Sequence, residues 1–310
     1  MSKLAFTSIQ VIPPKQGAPH RKGRQWMKTT VKHINYTMKA KKILFINQEI
    51  TPYVPSSELS EMGKNLPLAI QENGVEIRTF MPKWGTINER RGQLHEVQRL
   101  SGMNLIIDDT DHPLIIKVAS IPTSRLQVYF IDNEDYFQKR RMETDEQGEE
   151  YTDNGQRAIF FARGVLETVK KLRWVPDVIV CQGWMSAVVP VYIKKAYNDE
   201  PSFANTKVVS TILSGNLSND FGKQFKDCIA FKSVTEETMA KYADDFNLLE
   251  LGKLAVDYSD AVTVVGEDII PELLNYIDAS GLPVMKHNAD ATLGEIYPDF
   301  IDSIIDSTEE

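Results

Sequence analysis

Residues Lys41 to Trp84 read KKILFINQEITPYVPSSELSEMGKNLPLAIQENGVEIRTFMPKW, and the order of signals along them decides the fold. Lys42 to Asn47 is a short apolar run, the pattern of a strand buried on both faces. Pro52 and Pro55 then stop regular structure. Ser57 suits a helix N-cap, with Glu58 and Glu61 at the positive end of the dipole. Leu59, Met62, Leu66, Ala69 and Ile70 recur at helical spacing until Asn73-Gly74 ends the helix. Val75 to Met81 is the next strand. A loop that leaves a first strand and feeds a helix N-terminus is the usual ligand position of an open α/β sheet.

Beyond Trp84 the pattern changes. His95 to Leu100, Met103 to Ile107, Pro113 to Ala119 and Leu126 to Ile131 follow one another as short strands without helices between them. That order predicts an antiparallel insertion. Asp132 to Thr152 is polar and irregular. Asp153 is placed to cap a helix with Ile159, Phe160, Ala162, Val165, Leu166 and Val169 on its apolar face. Strands at Val178 to Cys181, Lys207 to Leu213 and Ala261 to Val265 then alternate with helical spacing over Ala187 to Tyr197, Thr235 to Tyr258 and Asp268 to Ile277. Phe221 to Phe231 has no clear period. The alternation predicts an α/β fold: a Rossmann-like, mostly parallel sheet with helices on both faces.

The totals set the class. The chain has 310 residues, 42% hydrophobic content and a net charge of −8, so it is globular and a poor match for a nucleic-acid partner. No apolar run reaches the length of a membrane span. Cys181 and Cys228 are the only thiols, which excludes a disulfide framework and a zinc pattern and fits a cytoplasmic setting. Residues 1–48 contain no Asp or Glu but include Lys3, Lys15, Arg21, Lys22, Arg24, Lys28 and Lys32. Residues 1–40 are read as a basic, disordered extension rather than a targeting arm, with Met38 available as a start just before the first strand. Residues 41–287 are read as the folded domain. Residues 288–310 are read as an acidic tail able to form one short amphipathic helix through Ile296, Phe300, Ile301, Ile304 and Ile305.

Four segments in order resemble the glycogen and starch synthases. They are Gln48-Glu49-Ile50-Thr51-Pro52-Tyr53 with Met81-Pro82-Lys83-Trp84-Gly85; Val128-Tyr129-Phe130-Ile131-Asp132-Asn133 with Tyr151, Asp153-Asn154 and Arg157; Pro176-Asp177-Val178-Ile179 with Trp184; and Lys253-Leu254-Ala255 with Asp260 to Val265. The resemblance covers Lys42 to Pro283. It implies a retaining glycosyltransferase of the GT-B fold, of which this chain looks like the N-terminal half. It also implies glucose transfer from ADP-glucose as donor substrate to an α-1,4-glucan acceptor, with no metal and no cofactor. The donor half would then have to come from a separate C-terminal donor-domain chain, and the chain alone would be inactive. The alternative is a non-catalytic glucan-binding or protein-interaction module.

Departures from the family pattern sharpen that choice. The family's Lys-x-Gly-Gly-Leu loop is read here as Pro55, Ser56, Ser57, Glu58, Leu59, without the lysine and the glycines that let a backbone approach a phosphate. The family's His-Asp-Trp-His corresponds to Gln182-Gly183-Trp184-Met185, and a thioether cannot donate the final histidine's hydrogen bond. Glu49, Ser57, Glu58, Trp184 and Met185 are therefore the expected substrate-binding positions, and no residue is assigned a catalytic or metal-binding role. Glu49 either contacts a sugar, positions the loop or caps a backbone amide. Trp184 stacks on a sugar ring or, as the residue type favours, packs. His95, His112 and His287 read as solvated, Cys181 as a small buried residue, and Asp108-Asp109-Asp111 as a turn rather than a cation site.

Overall fold

Strand β1 (Lys42–Asn47) is the middle of the sheet, and its residues from Ile43 to Asn47 are fully buried. The computed structural model describes residues 38–306 apart from 123, 216, 222 and 288–292. After β1 come helix α1 (Glu58–Glu72), strand β2 (Glu76–Pro82), the single turn α2 (Glu89–Gly92), and strands β3 (His95–Glu96), β4 (Met103–Ile107), β5 (Thr110–Ser120) and β6 (Gln127–Asp132). Helix α3 (Asn154–Leu172), β7 (Val178–Gln182), α4 (Val189–Val191), β8 (Lys207–Ile212), α5 (Lys223–Cys228), α6 (Glu236–Met239) and α7 (Leu248–Asp257) follow. The described chain closes with β9 (Ala261–Val265), α8 (Pro271–Ala279), β10 (Val284–His287) and α9 (Leu293–Asp306).

The ten-stranded sheet runs β10-β9-β8-β7-β1-β2-β6-β5-β3, with β4 on β5. Every pairing from β10 to β6 is parallel. The pairings of β5 with β3, β4 and β6 are antiparallel, so the insertion anticipated after Trp84 is present. The crossover from β1 to β2 moves one way along the sheet and that from β6 to β7 moves back past it. Right-handed crossovers then put α1 and α3 on opposite faces. The direction reverses between β1 and β7, which opens a crevice at their carboxyl ends.

Helix α1 starts as expected. Ser57 and Ser60 form a reciprocal capping box, and Gly74 at φ +80° closes the far end. Several other expectations need correction. Asp153 precedes α3 but makes no side-chain cap; its carboxylate pairs instead with Arg140 at 2.6 Å. The helical run over Thr235 to Tyr258 is broken into α6 and α7, because Asn247 takes extended backbone and caps α7 through the N–H groups of Leu249 and Glu250. The strand expected from His95 to Leu100 pairs only at His95 and Glu96 before Leu100 turns back onto Val97. The segment without a period, Phe221 to Phe231, contains α5. Strand β10 lacks an apolar run long enough to be seen in the sequence.

His112 is buried rather than solvated. Its Nδ1 lies 3.1 Å from Asp135, and its Nε2 meets the Tyr136 hydroxyl at 3.0 Å. Cys181 is buried, and burial pushes its thiol well above the ordinary range. Asp108 and Asp109 form the two-residue turn between β4 and β5, both at positive φ.

The extension expected over residues 1–40 lies outside the described residues as far as 37; Met38 and Ala40 are each 1% exposed. The acidic tail, where described, is α9, which packs on α1 and buries Tyr297, Ile301 and Ile304. Asp302 accepts the Lys39 backbone N–H at 3.0 Å and so ties α9 to the approach to β1. Among the described residues no helix is long and apolar enough to cross a membrane, and no cluster has the make-up of a metal site.

Candidate functional site

The crevice at the reversal between β1 and β7 is a cavity of about 300 Å³, walled by the carboxyl ends of β1, β7, β8 and β9 and by the starts of α1 and α7. Its geometry begins in the backbone. The Gln48 N–H donates to the Gln182 carbonyl at 3.0 Å and carries the β1–β7 pairing one step past the strands. Gly183 follows at φ +87°, and a Cβ there would come within 2.8 Å of the Gln48 side chain. Only glycine lets the β7 loop turn this closely past β1.

Four of the five expected substrate positions come together on this cavity: Glu49, Ser57, Glu58 and Trp184. Met185 does not. It is fully buried in the turn after β7 and is not part of the wall. Ser57 is engaged on both sides. Its hydroxyl donates to Glu49 Oε2 at 2.8 Å and accepts the Ser60 N–H at 3.0 Å. Ser60 in turn donates its hydroxyl to the Pro55 carbonyl at 3.1 Å. The loop that would cradle a phosphate in a glycine-rich version is thus closed on itself. Glu49 positions this loop rather than capping a backbone amide.

Trp184 is 8% exposed, donates its indole N–H to Glu143 Oε1 at 2.8 Å and lies against Phe221 with ring centroids 5.9 Å apart. The packing anticipated for it and its place on the cavity wall coexist.

Glu143 is the site residue that sequence reasoning missed. It sits in the irregular segment before α3, and the composition there gives no sign that the chain folds back over the crevice. Arg157 does the folding. It is fully buried, and its guanidinium donates to the carbonyls of Tyr136, Arg141 and Met142 and to Asn154 Oδ1. Burial lowers its pKa to about 10. Held this way, the segment sets Glu143 between Trp184 and the Gln48 amide, which donates to it at 3.3 Å. Asp268 and an aliphatic wall of Leu213, Leu248, Leu251, Ile269 and Leu273 complete the cavity.

The electrostatics are one-sided. Glu49, Glu58, Glu143 and Asp268 line the cavity, and its wall among the described residues contains no Lys, Arg or His. Burial raises the Glu49 carboxyl above its ordinary value; the Ser57 and Gln48 hydrogen bonds oppose this and the charge of Glu143 adds to it. Such a wall offers acceptors to hydroxyl or ammonium donors and repels phosphate.

A doubly wound α/β domain with its crevice at the strand-order reversal is the scaffold of one half of a GT-B glycosyltransferase. Residues 42–285 match the family model of the starch synthase catalytic domain, and the chain belongs to that family. The glycogen synthase of Chlorobium luteolum is 33% identical over 239 residues, covering 76% of this chain and 47% of the relative. That of Chlorobium limicola is 33% identical over 256 residues, covering 81% and 51%. Among solved structures, the catalytic domain of starch synthase IV from Arabidopsis thaliana, bound to ADP and acarbose, matches with a TM-score of 0.65 and 16% identity over 81% of this chain and 51% of that one. The chain spans about half the length of the curated relatives it matches.

Proposed function

We propose that this domain binds an α-glucan in its crevice and does not by itself hold a nucleotide sugar. The observation that carries the reading is the cavity wall, with four carboxylates and no cation among the described residues. Carboxylates accept hydrogen bonds from sugar hydroxyls, and Trp184 with the aliphatic wall offers apolar surface to sugar ring faces. A diphosphate meets only like charge there. Glucose transfer from ADP-glucose to an α-1,4-glucan, the reaction of glycogen synthases, would draw the cations for its donor from outside this domain. The two buried thiols fit work in the cytoplasm.

One observation favours a second reading. Ile270, 41% exposed, continues the aliphatic wall of Leu248, Leu251, Ile269 and Leu273, a contiguous apolar surface suited to a protein partner. Isothermal titration separates the readings. Maltoheptaose gives saturable heat that Trp184→Ala abolishes, while ADP-glucose gives none. Saturable ADP-glucose binding, or no response to any maltooligosaccharide, overturns the glucan reading.

A further inference from the structure

Within the segment that Arg157 folds back, residues 143–151 pair as a short hairpin. Thr144 lies opposite Glu150, and the Tyr151 N–H donates to the Glu143 carbonyl at 3.0 Å. The turn supports itself. Asp145 Oδ1 accepts the N–H groups of Gln147 and Glu149 at 2.8 and 3.0 Å, and Gly148 takes φ +88°. The hairpin therefore needs nothing from the Glu150 carboxylate to hold its shape.

That carboxylate, which is not part of the cavity wall, turns to another part of the chain. Its Oε1 accepts the Ser218 N–H at 2.7 Å and the Ser218 hydroxyl at 2.8 Å, and its Oε2 accepts the Asn219 N–H at 3.0 Å. Burial alone would raise the Glu150 carboxyl; these donors outweigh it, so it titrates below its ordinary value and holds them as an anion. Ser218 and Asn219 are exposed, so the carboxylate fixes two residues that packing does not hold. They belong to the connection from β8 to α5. That connection begins with Ser214 and Gly215 on the cavity wall and ends near Phe221, against Trp184. The opposite strand of the hairpin carries Glu143, bonded to the Trp184 indole and the Gln48 amide. One hairpin thus grips the chain after β1, after β7 and after β8 through two carboxylates.

We infer that the 143–151 hairpin is the strap that closes the glucan crevice, and that Glu150 is its latch. It is a positioning residue, acting on the sugar through Glu143 and Trp184 on one side and Ser214 and Gly215 on the other. The inference rests on the glucan reading for its ligand. Without the latch the wall after β8 parts from the hairpin, Trp184 loses cover, and a bound glucan leaves faster.

Two measurements on the full chain test this. One is calorimetric titration with maltoheptaose; the other is acrylamide quenching of Trp184, taken as the difference from the matching Trp184→Phe protein. Glu150→Ala should bind maltoheptaose at least about fivefold more weakly, equivalent to about 1 kcal/mol, and its Trp184 should be quenched more readily. Glu150→Gln keeps one acceptor and should fall between the parent and Glu150→Ala on both scales. Adding Glu143→Gln to Glu150→Ala should weaken binding little further, because one strap is already open; losses that add in full would overturn the inference. In a parent that binds maltoheptaose, affinity and quenching both unchanged in Glu150→Ala, or either changed without the other, overturn the latch and leave the glucan reading standing. A parent that does not bind maltoheptaose overturns the glucan reading. Quenching then decides the latch alone: a rise in Glu150→Ala supports it, and no rise overturns it.

Discussion

The indole N–H of Trp184 donates to Glu143 Oε1 at 2.8 Å, and this contact joins the chain before α3 to the loop after β7. The same carboxylate oxygen receives the Gln48 amide at 3.3 Å, so three segments distant in sequence meet at one atom. Trp184→Phe keeps the aromatic surface and removes the donor. It should cost about 1–2 kcal/mol of stability, the usual effect of leaving a partly buried acceptor short of a bond. Glu143→Gln retains an acceptor and should cost less. Chemical denaturation of the two variants checks the order, and a larger loss in Glu143→Gln would contradict it.

Arg157 is fully buried and holds the folded-back segment through four acceptors, with its guanidinium over the rings of Trp84 and Tyr151. Arg157→Met should destabilise the domain by about 3–5 kcal/mol, because the carbonyls of Tyr136, Arg141 and Met142 lose a buried, charged donor. Arg157→Lys should recover only part of this, since an ammonium cannot reproduce the planar fork. Urea midpoints of the three proteins give the comparison. Equal stability of the lysine variant and the parent would show that charge alone suffices.

The pH response of Glu49 has a definite sign. Its folded carboxyl titrates above the ordinary value of 4.5, raised by burial and by Glu143 against the Ser57 bond. The folded protein therefore binds that proton more tightly than the unfolded chain. Stability from this group is fully present below 4.5 and is lost as pH rises through the raised folded value. Glu49→Gln has no proton to lose. The melting temperature of the variant should gain on the parent as pH rises from 4 toward neutrality, and the difference should then stay constant. A gain that grows toward low pH would mean that Ser57 outweighs burial.

The loop after β1 offers a restoration test. Pro55→Lys with Ser57→Gly and Glu58→Gly brings back a cation and two glycines, but removes the capping box of α1, worth about 1 kcal/mol. Glu49, Glu143 and Asp268 remain on the wall. The triple variant should fold with a lower melting temperature and still show no saturable binding of ADP-glucose. Tight binding would place the whole defect in that loop.

Much of this was legible in the sequence where local pattern and tertiary role coincide. Ile43 to Asn47 read as a buried strand because an interior parallel strand is apolar on both faces, and Ser57 read as a cap because Glu58, Glu61 and an apolar helical period follow it directly. The four family segments put Glu49 and Trp184 near a site, and the crevice holds both. Met185 misled because a position matched along a loop does not fix which way the side chain turns; it turns inward. Glu143 and His112 were unreadable for another reason. Their environments are made by residues far along the chain, Trp184 and Gln48 for one, Tyr136 and Asp135 for the other. The break between α6 and α7 was hidden because apolar spacing continues across it while Asn247 redirects the backbone.

Incorporation of labelled glucose from ADP-glucose into glycogen by the purified 310-residue chain is the most direct measurement of what this domain does alone. A crevice lined by Glu49, Glu58, Glu143 and Asp268 without a cation among its described residues predicts incorporation at background, with glycogen binding retained. Incorporation above background that falls on Glu143→Gln or Trp184→Ala would contradict it, and would show that this acidic crevice holds a nucleotide sugar after all.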